Sequence, residues 1–121
     1  MVLLRKNNLI VEKTDAFSDR IIKMYKFLVN HHHDGVLARQ VLKSGTSIGA
    51  NVAESKNAQS RSDFVNKLNI ALKEADETLY WLKKLLVMEY IKPVHYESMA
   101  SDNEEIIKIL TKIIKTTKGI E

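Results

Sequence analysis

The chain has 121 residues, 45% hydrophobic and 28% charged, with a net charge of +4; these values fit one folded domain with its own core and exclude a disordered chain. It contains no cysteine, which excludes disulfides, thiol catalysis and zinc-thiolate sites together. The apolar stretch at the start is too short for a signal peptide, and no run reaches the ~20 apolar residues of a membrane span, so a cytoplasmic location is expected.

With one proline and four glycines, long helices meet few interruptions and the breaks are easy to place. The first helix is predicted over about 15–30, with Thr14 as its N-cap. Phe17, Ile21, Met24 and Leu28 form one apolar stripe at helical spacing, widened by Ile22, Tyr25 and Val29. The polar run His31-His32-His33-Asp34-Gly35 then breaks the pattern.

A second helix over about 36–55 places Val41, Gly45, Ile48 and Val52 on one stripe and Leu42, Gly49 and Ala53 on its neighbour. Gly45 and Gly49 each cost about 1 kcal/mol relative to alanine inside a helix. Close approach of another helix, within the bundle or between subunits, is the simplest compensation. No phosphate-cradling loop motif surrounds them. A third strip on this helix is polar: Lys43, Ser47, Asn51 and Glu54.

Ser60 and Asp63 have the spacing of a capping box, with Asp a shorter arm than the usual Glu, and open a third helix over about 61–89. Its stripe of Phe64, Leu68, Ala71, Ala75, Leu79, Leu82 and Leu86 supports a helix of roughly 28 residues, near 42 Å. Pro93 marks the next break. A fourth helix over about 94–117 turns Met99, Ile106, Leu110 and Ile113 inward, with its acids early and its lysines late, as the helix dipole favours. Four amphipathic helices with short connections predict an all-α, antiparallel, up-down-up-down four-helix bundle occupying 1–121 as one domain.

The polar strip does not form a catalytic set, because no base is paired by spacing with Ser47. Ser47, Asn51 and Glu54 read instead as a structural hydrogen-bond network, with Lys73, Glu74 or Glu77 on the third helix as partners. Adjacent imidazoles at His31, His32 and His33 splay apart, so a solvated turn is favoured over a metal site. Tyr80 and Trp81 read as core or interface residues rather than as a base-stacking platform. The expectation is a protein that is not an enzyme and needs no cofactor or metal.

Residues 1–60 carry nine Lys/Arg against five Asp/Glu, whereas 61–121 carry ten against ten. The candidates for a polyanion surface are Arg39 and Lys43 on the second helix, Lys56 and Arg61 around its connection to the third, and Lys67 beyond.

The segment Lys43-Ser44-Gly45-Thr46-Ser47-Ile48-Gly49-Ala50-Asn51-Val52-Ala53-Glu54, followed by Ser60, Asp63-Phe64, Lys67-Leu68, Ile70-Ala71, Lys73-Glu74-Ala75, Glu77-Thr78 and Tyr80-Trp81-Leu82, resembles the bacterial four-helix-bundle family of proteins encoded in 23S rRNA intervening sequences. That family is similar in turn to the accessory protein of diversity-generating retroelements, a basic pentameric barrel that handles nucleic acid. The resemblance implies a homopentamer subunit with an RNA or DNA partner, while on helical spacing Gly45, Gly49, Ala53, Tyr80 and Trp81 are the candidates for close packing or a subunit interface. The run Ser55-Lys56-Asn57-Ala58-Gln59-Ser60-Arg61 is less basic than is common in the family. A ring that instead presents a scaffold to a partner protein is the alternative reading.

Overall fold

The computed structural model describes residues 8–32 and 35–119. Four helices account for nearly all of them: α1 (Asn8–His32), α2 (Val36–Ser55), α3 (Arg61–Val87) and α4 (Pro93–Lys118). Each helix packs on the next, and α1 closes the circuit against α4 over a shorter stretch. Paired residues give the direction of every neighbour. Gly45 faces Ile21 and Gly49 faces Thr14 and Ser18 across α1 and α2. Ser44 meets Thr78 and Glu54 meets Lys67 across α2 and α3. Asn103 reaches the Ala75 carbonyl across α3 and α4. Arg20 meets Asp102, and Lys13 meets Glu105, across α1 and α4. In the circuit, rising numbers on one helix meet falling numbers on its neighbour, so the bundle is up-down-up-down.

The core is aliphatic with two large rings, Phe17 and Phe64, both fully buried among Ile21, Ile48, Leu68 and Leu110. The predicted stripes supply much of it, while Ile22 and Ala53 face outward. Two buried polar contacts cross between helices and fix their register, and a third lies within α1. The hydroxyls of Ser44 and Thr78 hydrogen-bond at 3.0 Å, the Asn103 amide donates to the Ala75 carbonyl at 2.8 Å, and the Thr14 hydroxyl donates to the Ile10 carbonyl at 2.8 Å. Buried hydroxyls and amides are tolerated in such a core when they are hydrogen-bonded in this way, and the Asn103 Oδ1 is left buried without a partner.

Four helix boundaries differ from the sequence reading. α1 begins at Asn8, not near Asp15, and Thr14 is a buried interior residue rather than an N-cap. Its hydroxyl back-bonds within the helix, so it continues the stripe Ile10, Thr14, Phe17, Ile21. The same helix runs on through His31 and His32, while His33 and Asp34 lie outside the described residues. α3 stops at Val87 because Glu89 adopts a left-handed backbone, φ 60°. The Tyr90 amide then donates to the Leu85 carbonyl and the Glu89 amide to the Leu86 carbonyl, the paired bonds that close a helix end. Pro93 occupies the first turn of α4 and starts it, where a missing N–H costs nothing.

The N-terminus of α3 forms only half of a capping box. Ser60 accepts from the Asp63 amide at 3.0 Å, but the short Asp63 side chain accepts from the Gln59 amide at 3.2 Å rather than from the Ser60 amide.

At Gly45 a side chain of α1 fills the place of a Cβ on α2. A Cβ built there lies 2.7–2.9 Å from three carbons of Ile21, which is fully buried. At Gly49 the nearest atoms, the Ser18 hydroxyl and the Thr14 carbonyl, stand at 3.1 and 3.3 Å. Gly45→Ala is therefore expected to destabilise by about 1–3 kcal/mol from overpacking, in excess of the ~1 kcal/mol that alanine returns through helix propensity. In Gly49→Ala the two effects nearly cancel. Urea denaturation of the two variants checks this, and equal stability of Gly45→Ala and wild type would refute the close approach.

Candidate nucleic-acid interface

The antiparallel layout divides the basic candidates between the two ends of the bundle. Arg39 and Lys43 occupy the first two turns of α2, both exposed, on the end where α1 turns into α2 and α3 turns into α4. Lys56 and Arg61 are exposed at the other end, about 25 Å away along α2 at 1.5 Å per residue. Lys67 is half-buried and stands 3.5 Å from Glu54, so part of its charge is already answered. The five candidates do not form one patch on a single chain.

The fold instead gathers cations that are distant in sequence. From Arg20 to His32, α1 carries Arg20, Lys23 and Lys26 and no carboxylate. The last turn of α3 and the connection beyond it bring Lys83, Lys84 and Lys92, with Glu89 as the carboxylate among them. His32 stacks on Tyr90 with ring centroids 4.2 Å apart, tying the end of α1 to the α3–α4 connection. This basic end thus draws on three stretches of chain. The opposite end is mixed, with Lys13 against Glu105 and Lys67 against Glu54.

The predicted polar network takes a different form. Ser47 donates to the Lys43 carbonyl at 2.7 Å and Asn51 donates to the Ser47 carbonyl at 2.8 Å, both within α2. Glu54 pairs with Lys67 rather than with Lys73, Glu74 or Glu77. Glu77 accepts from the Trp81 indole at 3.2 Å along α3. Helical back-bonding satisfies the short polar side chains locally and leaves them no need of a cross-helix partner. Burial pushes the Glu74 carboxyl above its ordinary value, with Glu77 adding to the rise while Lys43 and Lys73 oppose it. Where Lys13 meets Glu105, that hydrogen bond raises the lysine above its usual range.

Of the close-packing candidates, Gly45 is buried and Gly49 half-buried against α1, whereas Ala53 is exposed. Trp81 packs half-buried against the core. Tyr80 points outward, 52% exposed, with Lys84 4.9 Å above its ring. His31 sits 2.8 Å from the Phe27 carbonyl and stacks on the Phe27 ring, while His32 turns to Tyr90. Among the described residues no group of three or more His, Asp or Glu side chains could hold a metal ion, and no helix is long and apolar enough to cross a membrane.

Because its folded-state carboxyl titrates higher than in the unfolded chain, ionised Glu74 opposes folding: stability is greater below the ordinary carboxylate range and declines as pH rises through the folded value. Glu74→Gln is expected to raise the melting temperature slightly at pH 7, with the gain closing as pH falls through 4.5. Thermal denaturation between pH 3.5 and 7 in ~0.5-unit steps measures it; a gain that persists unchanged in acid would contradict the burial argument.

The fold and sequence match known proteins closely. A solved structure from Bacteroides thetaiotaomicron, described as a protein of unknown function from the S23 ribosomal protein family, superposes with a TM-score of 0.89. It is 55% identical and the match covers 91% of this chain and 98% of that one. Comparison with curated proteins gives no match. The family model for 23S rRNA-intervening sequence proteins matches residues 6–112, and the chain belongs to that family.

Proposed function

We propose that this chain is a non-enzymatic, cytoplasmic, homo-oligomeric bundle that binds RNA or DNA without strong sequence preference. The observation that carries the reading is the gathering of Arg39, Lys43, Lys83 and Lys84 with the cations of α1 at one end of the bundle. Phosphate contacts made by such a patch give affinity through counterion release and need no base readout. One chain offers few contacts, and a closed ring of subunits, a pentamer by family resemblance, repeats them with the gain of multivalency. The kinship to proteins named for 23S rRNA intervening sequences supports a nucleic-acid setting.

A protein-scaffold role is favoured by a different observation. Val36, Val87 and Met88 are exposed at the same end, Val87 by 74%, and apolar side chains of this size are commonly covered by a partner. A single protein recovered on the bundle after nuclease treatment would favour that role.

Purified protein stripped of nucleic acid is expected to shift a single-stranded RNA or DNA probe at 50 mM salt and to lose at least ~100-fold in affinity by 200 mM. Arg39→Glu with Lys43→Glu should weaken binding about 10-fold or more, and Lys56→Glu with Arg61→Glu by less than ~3-fold, both with unchanged helicity. Gel shift and circular dichroism together check this; no salt-sensitive shift with either nucleic acid would sink the reading.

A further inference from the structure

Within the basic end, between the second half of α1 and the α3–α4 connection, lies an open cleft of about 610 Å³. Its size falls in the range of small-molecule sites. Its inner wall is apolar: Met24 on α1, and Ile91 and Met99, both nearly buried. Phe27, 48% exposed, forms one margin. Tyr90 also lines it, its ring stacked on His32 at 18° between planes, and His32 in turn meets the Phe27 ring edge-on. The position of the cleft follows from the fold. The left-handed turn at Glu89 and the proline that starts α4 set the α3–α4 connection beside the last turns of α1.

The charge around this apolar wall is one-sided. Lys23 and Lys92 are exposed at the mouth and make no ion pair among the described residues. Arg20 also lines the cleft, fixed by Asp102 and by the Ser98 hydroxyl at 3.0 Å. Glu89 is the single carboxylate among the described lining residues. Two thioethers and two aromatic side chains favour a flat π-system over an alkyl chain, because sulfur and ring edges both gain from a ring face. Lysines at the mouth favour an anion attached to that ring.

We propose that the cleft binds a nucleotide, its base against Met24 and Phe27 and its phosphate between Lys23 and Lys92. As an unpaired or terminal nucleotide of a strand, this occupant deepens the nucleic-acid reading and rests on it. As a free mononucleotide it stands independently of that reading.

Calorimetric titration of the full chain with AMP, adenosine and hexyl phosphate separates the contributions, with a short single-stranded oligonucleotide as a fourth ligand. AMP is expected to bind at least ~10-fold more tightly than either adenosine, which lacks the phosphate, or hexyl phosphate, which lacks the ring. Lys23→Gln with Lys92→Gln should cost AMP about 10-fold while leaving adenosine unchanged, and Phe27→Ala should weaken both. All three positions are exposed, so circular dichroism should match wild type. Hexyl phosphate binding as tightly as AMP would overturn the assignment of the ring, and no heat with AMP at millimolar concentration would overturn the site. Oligonucleotide binding without AMP binding rejects the cleft and spares the basic end; AMP binding without oligonucleotide binding supports the cleft and rejects the strand.

Discussion

The absence of side chains at Gly45 and Gly49 lets α1 pack against α2, with Ile21 seated over the first and the Thr14 backbone beside the second. Ile21, itself fully buried, fills the space a Cβ would take at Gly45. The adjacent face of α2 turns toward α3, where Ser44, the residue just before that glycine, meets Thr78. A small core gains from such proximity, since dispersion falls away steeply when packed surfaces separate by even a fraction of an ångström. The helix-propensity penalty of glycine is thereby offset by packing that no other residue at this position permits.

The architecture was legible because periodicity is a local property. Phe17, Ile21 and Leu28, or Phe64, Leu68, Ala71 and Ala75, announce a buried face without knowledge of what covers it. What misled was chemistry with two local meanings. Thr14 has the composition of a cap, and only its burial and its bond to Ile10 show that it belongs to the stripe. Glu89 carries no mark of a helix terminator, since a left-handed conformation in a residue other than glycine is settled by surrounding contacts.

The basic end was legible only in part, for the opposite reason. Arg39 and Lys43 are visible as an i,i+4 pair, but their association with Lys23 and Lys92 depends on which helix ends are brought together. Lys56, Arg61 and Lys67 come next in sequence, but the 20-residue length of α2 carries the chain to the far end of the bundle before them, and there Lys67 answers Glu54. The cleft has no sequence signature at all. Its walls come from three stretches of chain, and its aromatic margin depends on a stacking contact between His32 and Tyr90.

The seam between α1 and α4 differs in kind from the other three. It joins residues separated by 78 and 82 positions, through polar side chains that remain largely in solvent. The other seams link helices adjacent in the chain, whose short loops make encounter entropically cheap. Formation of the native state is thus expected to run outward from the α2–α3 hairpin, with circular closure at Arg20 and Asp102 arriving late; a φ-value near 1 for Asp102→Ala would exclude that order.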